Sequence, residues 1–185
     1  MRLGFDIDEV VADNVHIMVD LLNGINGTNY CIRDVTEYKL SCVGLREEDS
    51  ERFFARYARE IFTNAEVAPG AKEYLHKLKN QGFELFFLTA RNSCSDIYRI
   101  TVNWFLDNEI PFDKIQTHVK HKGVSCLENQ VELYVDDRHK NVKGVLETGT
   151  PCYVMDKPWN CDFDLPRVKH WREIYQRAIQ HRLRR

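Results

Sequence analysis

The apolar positions of this chain form two kinds of segment that take turns along it: short near-continuous runs, and longer stretches with apolar residues three and four apart. The runs are Leu3–Phe5, Phe83–Leu88, Ile115–Val119, Leu133–Val135 and Cys152–Met155, each stopping at or near a polar cluster. Runs this short with little polar alternation predict strands buried on both faces. Ile115–Val119 carries the weakest pattern and is assigned because a strand is due there. Between the runs, Ala71–Asn80 follows Pro69-Gly70, spaces Tyr74, Leu75 and Leu78 at helical intervals, and is closed by Gly82. Asp96–Asn108 puts Ile97, Ile100, Trp104 and Phe105 on one stripe, and Asn141–Glu147 and Val168–Ile179 are spaced alike. Strand and helix in turn predict an α/β fold, a Rossmann-like parallel sheet of about five strands with helices on both faces.

One stretch breaks the alternation. Residues 14–68 contain helical segments, Val15–Asn26 and roughly Glu47–Thr63, but no good strand. This predicts a small helical cap inserted after the first strand, with residues 1–13 and 69–185 forming the core. Phe53, Phe54 and Tyr57 sit at helical spacing and are expected to form the cap's own core; Tyr30 and Tyr38 are left free to meet a ligand.

Composition narrows the class. A chain of 185 residues can bury one sizeable core plus such an insertion. With 43% hydrophobic and 29% charged residues it reads as an ordinary globular protein. A net charge of -2 gives no polyanion-binding surface, so nucleic acid is not expected as a partner. The basic C-terminal cluster of Arg182, Arg184 and Arg185 reads as a solvated helix end. No apolar run approaches the roughly 18 residues of a membrane span, and Met1–Asp6 contains no apolar signal region. Cys31, Cys42, Cys94, Cys126, Cys152 and Cys161 are scattered without a Cys-x-x-Cys pair, as expected of reduced thiols in a cytoplasmic protein. His118 and His121 lack the further ligands that a zinc site needs.

The chemistry gathers at the strand ends. In an open α/β sheet, ligands bind beyond the carboxyl ends of the strands. The first run ends in Asp6-Ile7-Asp8, the second in Thr89-Ala90-Arg91 and the fourth in Asp136-Asp137-Arg138. Carboxylates brought so close repel one another unless a cation lies between them, and Mg²⁺, a hard ion that takes oxygen ligands, suits that place.

Phe5-Asp6-Ile7-Asp8, Leu88-Thr89-Ala90-Arg91, Lys122 and Tyr134-Val135-Asp136-Asp137, in that order, resemble the four motifs of haloacid-dehalogenase-type phosphatases. The insertion falls where that family carries its helical cap. The resemblance implies Asp6 as nucleophile and Asp8 as general acid and base. It implies Thr89, Ala90, Arg91 and Lys122 at the phosphate, and Asp6, the Asp8 carbonyl, Asp136 and Asp137 at Mg²⁺. Lys120, two residues from Lys122, is the alternative lysine. Glu9 stands where the family commonly has glycine. Val10-Val11-Ala12-Asp13, Tyr153–Asn160 and Asp164–Val168 are similar to the 5'(3')-deoxyribonucleotidases and their bacterial relatives. That narrower likeness implies a nucleoside monophosphate as substrate. The rivals are a 3'-phosphatase on nucleic-acid ends, a phosphatase of another small metabolite, and a catalytically silent phosphate-binding protein. A homodimer is compatible with the sequence, which fixes neither the oligomeric state nor the base and sugar.

Overall fold

The computed structural model describes residues 1–184; Arg185 of the basic cluster lies outside the described residues. The chain runs β1 (Arg2–Phe5), β2 (Ala12–Asp13), α1 (Val15–Asn26), α2 (Glu47–Asn64), β3 (Glu66–Val67), α3 (Ala71–Asn80) and β4 (Glu84–Leu88). It continues with α4 (Ile97–Asp107), β5 (Lys114–Gln116), α5 (Lys122–Glu128), β6 (Leu133–Asp136), α6 (His139–Leu146), β7 (Cys152–Met155), β8 (Arg167–Val168) and α7 (Trp171–Leu183). The main sheet has the order β5-β4-β1-β6-β7-β8, with every neighbouring pair parallel. From β1 the chain goes first to one side, through β4 and β5, and then to the other, through β6. The order therefore reverses at β1, and a crevice opens where the ends of β4, β1 and β6 meet.

Both faces of the sheet are covered. On one, Phe5 packs against Phe87 and Trp171 with ring centroids 5.6 and 5.3 Å apart, joined by Trp104 and Phe105 of α4 and Leu75 of α3. On the other, Leu88 and Tyr134 pack with Val142 and Val145 of α6 and Cys126 of α5. Trp171 also donates its indole N–H to the Val10 carbonyl at 2.9 Å, so α7 pins the turn that leaves β1.

The expected five strands become six. β8 pairs with β7 through Val154–Arg167 and Met155–Val168, and α7 begins at Trp171 rather than at Val168. A two-residue strand is too short to show a period, which is why its first residues read as helix. The third strand is Lys114–Gln116 and stops before His118, whose φ of 61° bends the chain away. The insertion has an unforeseen neck: β2 and β3 pair antiparallel, Ala12 with Val67 and Asp13 with Glu66. Its helices enclose a separate apolar cluster including Val19, Leu22, Phe53, Ile61 and Phe62, which reaches Ile97 and Ile100 of α4 and also Trp159.

Close approach of α5 to α6 fixes where α5 begins. A Cβ on Gly123 would lie 2.4 Å from the Gly144 carbonyl oxygen, a backbone atom with no freedom to move aside. Gly123→Ala is therefore expected to destabilise the protein by about 1–3 kcal/mol, the usual cost of overpacking. Chemical denaturation of the two proteins side by side checks it; equal stability would mean that the two helices are not held at this distance.

Candidate active site

Asp6 continues the ladder of β1 by donating its N–H to Val135 O at 2.8 Å. The chain then curls: the Ile7 carbonyl accepts from Val10, Val11 and Ala12 at 3.3, 2.9 and 2.9 Å. Asp8 thus lies in a turn beyond the strand, and its position comes from that curl rather than from strand alternation. Glu9 takes the left-handed conformation, φ 61°, which costs a residue with a Cβ roughly 1–2 kcal/mol. Its carboxylate offsets this. Oε1 accepts the N–H groups of Asn14 and Val15 at 2.9 and 2.8 Å, where α1 begins, and Oε2 accepts Lys157 Nζ at 2.9 Å. Burial raises the Glu9 pKa, while Lys157 pulls it back.

Asp6, Asp136 and Asp137 are all buried, and one carboxylate oxygen from each lies within 4.8 Å of the others. The Lys122 ammonium donates to Asp6 Oδ1 at 2.8 Å and to the Leu88 carbonyl. Lys122 is only 4% exposed, whereas Lys120 is exposed to solvent. Burial, opposed by Lys122 and reinforced by Asp136 and Asp8, pushes the Asp6 pKa up to about 7. Desolvation raises Asp136 as well, and raises Asp137 further with help from the charges of Asp136, Asp6 and Glu9. Three buried carboxyls facing one ammonium lack positive charge, and a small divalent cation with oxygen preference fits that deficit. Asn141 Nδ2 and the Arg138 N–H both bond Asp136, at 3.0 and 2.9 Å, and Trp159 Nε1 bonds Asp137 at 2.9 Å.

The Asp8 carboxylate turns away from this cluster. It accepts Arg91 Nη2 at 2.7 Å, Arg91 Nε at 3.1 Å and Asn14 Nδ2 at 2.6 Å, with Thr89 Oγ1 at 3.4 Å. The Arg91 side chain is buried, lies 4.2 Å from the Phe62 ring, and reaches Thr101 Oγ1 at 3.3 Å. Among the residues expected at the phosphate, Thr89 is buried at the end of β4, Ala90 is exposed, and Arg91 directs its guanidinium to Asp8. The partners of these acids (Asn14, Asn141, Trp159, the Arg91 side chain) were not foreseen in these roles; Trp159 alone left a trace, in its Pro-Trp-Asn motif.

A cavity of about 720 Å³ opens beside the site, within the range of small-ligand pockets. Asp8, Asp137 and Trp159 form its core side; Met18, Tyr38, Phe54 and Phe62 come from the insertion. Tyr38, not Tyr30, is the open tyrosine that lines it. Arg138 lies 4.5 Å over the Tyr38 ring. Phe53 is buried in the insertion's core, whereas its neighbour Phe54 faces the cavity. No helix among the described residues is long and apolar enough to cross a membrane.

Comparison with known proteins agrees with this architecture. The family described as 5' nucleotidase, deoxy (pyrimidine), cytosolic type C matches residues 1–184. An inferred nucleotidase of Halalkalibacterium halodurans is 29% identical over 178 residues, 93% of this chain and 89% of that one. An inferred 5'(3')-deoxyribonucleotidase of Chlorobaculum tepidum is 28% identical over 131 residues, 69% of this chain and 62% of that one. A haloacid-dehalogenase-family hydrolase of Deinococcus radiodurans, solved with bound phosphate and sodium, superposes with a TM-score of 0.70 at 11% identity, covering 98% and 96% of the two chains. The chain belongs to the type C 5'-nucleotidase family, on a haloacid-dehalogenase-like fold, and is an enzyme of the phosphatase and nucleotidase class.

The raised Asp6 pKa has a consequence for stability. Between the ordinary carboxyl value of 3.8 and about 7, the folded metal-free protein binds a proton at Asp6 that the unfolded chain does not. This contribution to stability is present below that window and is lost as pH rises through it. Asp6→Asn removes the titration, so in excess chelator its stability relative to the parent should rise as pH goes from about 4 to about 7. Urea unfolding across that range tests the sign; a relative stability independent of pH would contradict it.

Proposed function

We propose that this family member hydrolyses nucleoside 5'-monophosphates, deoxynucleotides among them, through a phosphoryl group carried on Asp6. In the first step an Asp6 carboxylate oxygen attacks phosphorus, the P–O ester bond breaks, and the departing 5'-oxygen takes a proton from Asp8. In the second, a water gives its proton to Asp8 and attacks the same phosphorus, which frees Asp6 and releases inorganic phosphate. Lys122 offsets negative charge on Asp6 and the phosphoryl oxygens throughout, and Thr89 with the adjacent backbone holds those oxygens. Arg91 and Asn14 keep the Asp8 carboxylate aimed at the leaving oxygen. Asp6, Asp136 and Asp137, with the Asp8 carbonyl, would hold Mg²⁺, whose charge screens carboxylates from phosphate. Residues 14–68 act as the cap that excludes bulk water from the phosphorylated aspartate.

The observation that carries this reading is the buried Asp6–Lys122 pair (2.8 Å apart) with Asp136 and Asp137 beside it, next to a cavity sized for one nucleotide. The same cavity speaks against a nucleic-acid end. Among the described residues its charged lining is Asp8, Glu9, Glu47, Glu51 and Asp137 against Lys39 alone. Lys39 is itself paired with Glu47, and Arg46 with Glu48 and Asp49. A strand bringing several phosphates needs the reverse balance.

Phosphate release from nucleoside monophosphates, sugar phosphates and 3'-phosphorylated oligonucleotides is the direct test. kcat/KM for nucleoside 5'-monophosphates should exceed that for the oligonucleotides by at least ~100-fold, about 2.7 kcal/mol in transition-state stabilisation. EDTA should stop turnover and Mg²⁺ restore it. A preference for oligonucleotides that weakens steeply with salt would transfer the assignment to nucleic-acid ends.

A further inference from the structure

The proposed chemistry makes no use of the segment after β7, Lys157-Pro158-Trp159-Asn160. A carboxylate that ligates a metal holds one orientation only if other groups bond it, and such partners commonly change metal affinity 10–100-fold. Asp136 has several of them, Asn141, the Arg138 N–H and the Tyr134 side chain. Asp137 differs. Among the described residues, the hydrogen bond that reaches its carboxylate is the one from Trp159 Nε1, 2.9 Å from Oδ2. Its backbone carbonyl is held at 2.7 Å by Asn160 Nδ2, which also bonds the Met155 carbonyl at 2.7 Å.

The turn that supplies both donors is itself secured. Lys157 N donates to Asn160 Oδ1 at 3.2 Å, Arg167 Nη2 to the Asn160 carbonyl at 3.2 Å, and Lys157 Nζ to Glu9 at 2.9 Å. Trp159, 7% exposed, belongs to the insertion's apolar cluster, which also holds Val15 and Met18, and forms part of the cavity wall. One side chain therefore touches a carboxylate of the cluster, the wall of the cavity and the core of the insertion.

We propose that Trp159 is a positioning residue for the cation: its indole N–H sets the orientation of Asp137, and its ring ties that orientation to the insertion. This rests on the reading of Asp6, Asp136 and Asp137 as the Mg²⁺ site. A tryptophan that merely filled space would do its work through the ring alone, and Trp159→Phe separates the two roles by keeping an aromatic ring and removing the donor.

The experiment is calorimetric titration of Mg²⁺ into metal-free protein without substrate. Trp159→Phe should weaken Mg²⁺ binding by ~10-fold or more. Wild-type Mg²⁺ affinity in Trp159→Phe would overturn the proposal. If the parent itself binds no Mg²⁺, the cation reading fails and the proposal fails with it, a result distinct from the first. Should the variant not fold, the parent provides the test through its three indole N–H resonances. Trp104 and Trp171 donate to the backbone carbonyls of Ala65 and Val10, so only the Trp159 signal should move with Mg²⁺ saturation. A Trp159 signal indifferent to Mg²⁺ would equally overturn it.

Discussion

Three carboxyls and one ammonium are buried together, and the rest of the molecule is arranged to keep them there. Isolated charges of this kind cost several kcal/mol each to bury, and their attraction returns that only in good geometry. Asp6, Asp136 and Lys122 reach one another because β1, β4 and β6 lie side by side at the point where the strand order reverses. The Leu88 carbonyl at the end of β4 accepts from both Lys122 and Tyr134, which locks the ammonium beside Asp6. The near-contact of α5 and α6 at Gly123 sets the depth from which Lys122 reaches in. The resulting excess of negative charge is unfavourable without a ligand, and it is the physical reason a cation and a phosphate monoester would be welcomed together.

Asp8 lies outside the three-carboxyl cluster, although its charge still acts on Asp6. The curl after Asp6 carries it toward Arg91 and Asn14, on the side facing the cavity, so two neighbouring acids have different electrostatic surroundings. Such a difference is what the proposed roles of nucleophile and proton carrier would require of residues only two positions apart. Glu9 fixes the end of the curl. It bonds the first N–H groups of α1 and Lys157 of the segment after β7, which joins the insertion and the core at the edge of the site.

Much of this was legible in the sequence because it depends on local pattern. Apolar runs ending at Asp6, Thr89 and Asp136 predicted the strands, and the structure brings Asp6 and Asp136 together at their ends. The helix spans Val15–Asn26 and Ala71–Asn80 follow from spacing, the second also from the Pro69-Gly70 and Gly82 that bound it, and agree with the structure to the residue. What was not legible depends on partners distant in the chain. The β2–β3 neck and β8 are two residues per strand, and pairing rather than composition makes them strands. Arg91 reads as a phosphate group's partner in a strand-end motif, yet Phe62 and Thr101, from α2 and α4, help set it against Asp8. Phe53 and Phe54 both pack in the insertion's cluster as their spacing predicts, but Phe54 also lines the cavity, which spacing does not show. Glu9 in place of glycine gave no hint of how a left-handed position would be tolerated, since the answer lies in Lys157 and the start of α1.

The central claim is that Asp6 carries the phosphoryl group. It is tested most directly by acid-quenching the enzyme during steady turnover of a labelled nucleoside monophosphate and mapping the label by peptide mass spectrometry. The account predicts an acid-stable, hydroxylamine-labile phosphoryl group on Asp6. Full turnover with no phosphorylated Asp6 under conditions that preserve acyl phosphates, or with the label on another residue, would contradict it.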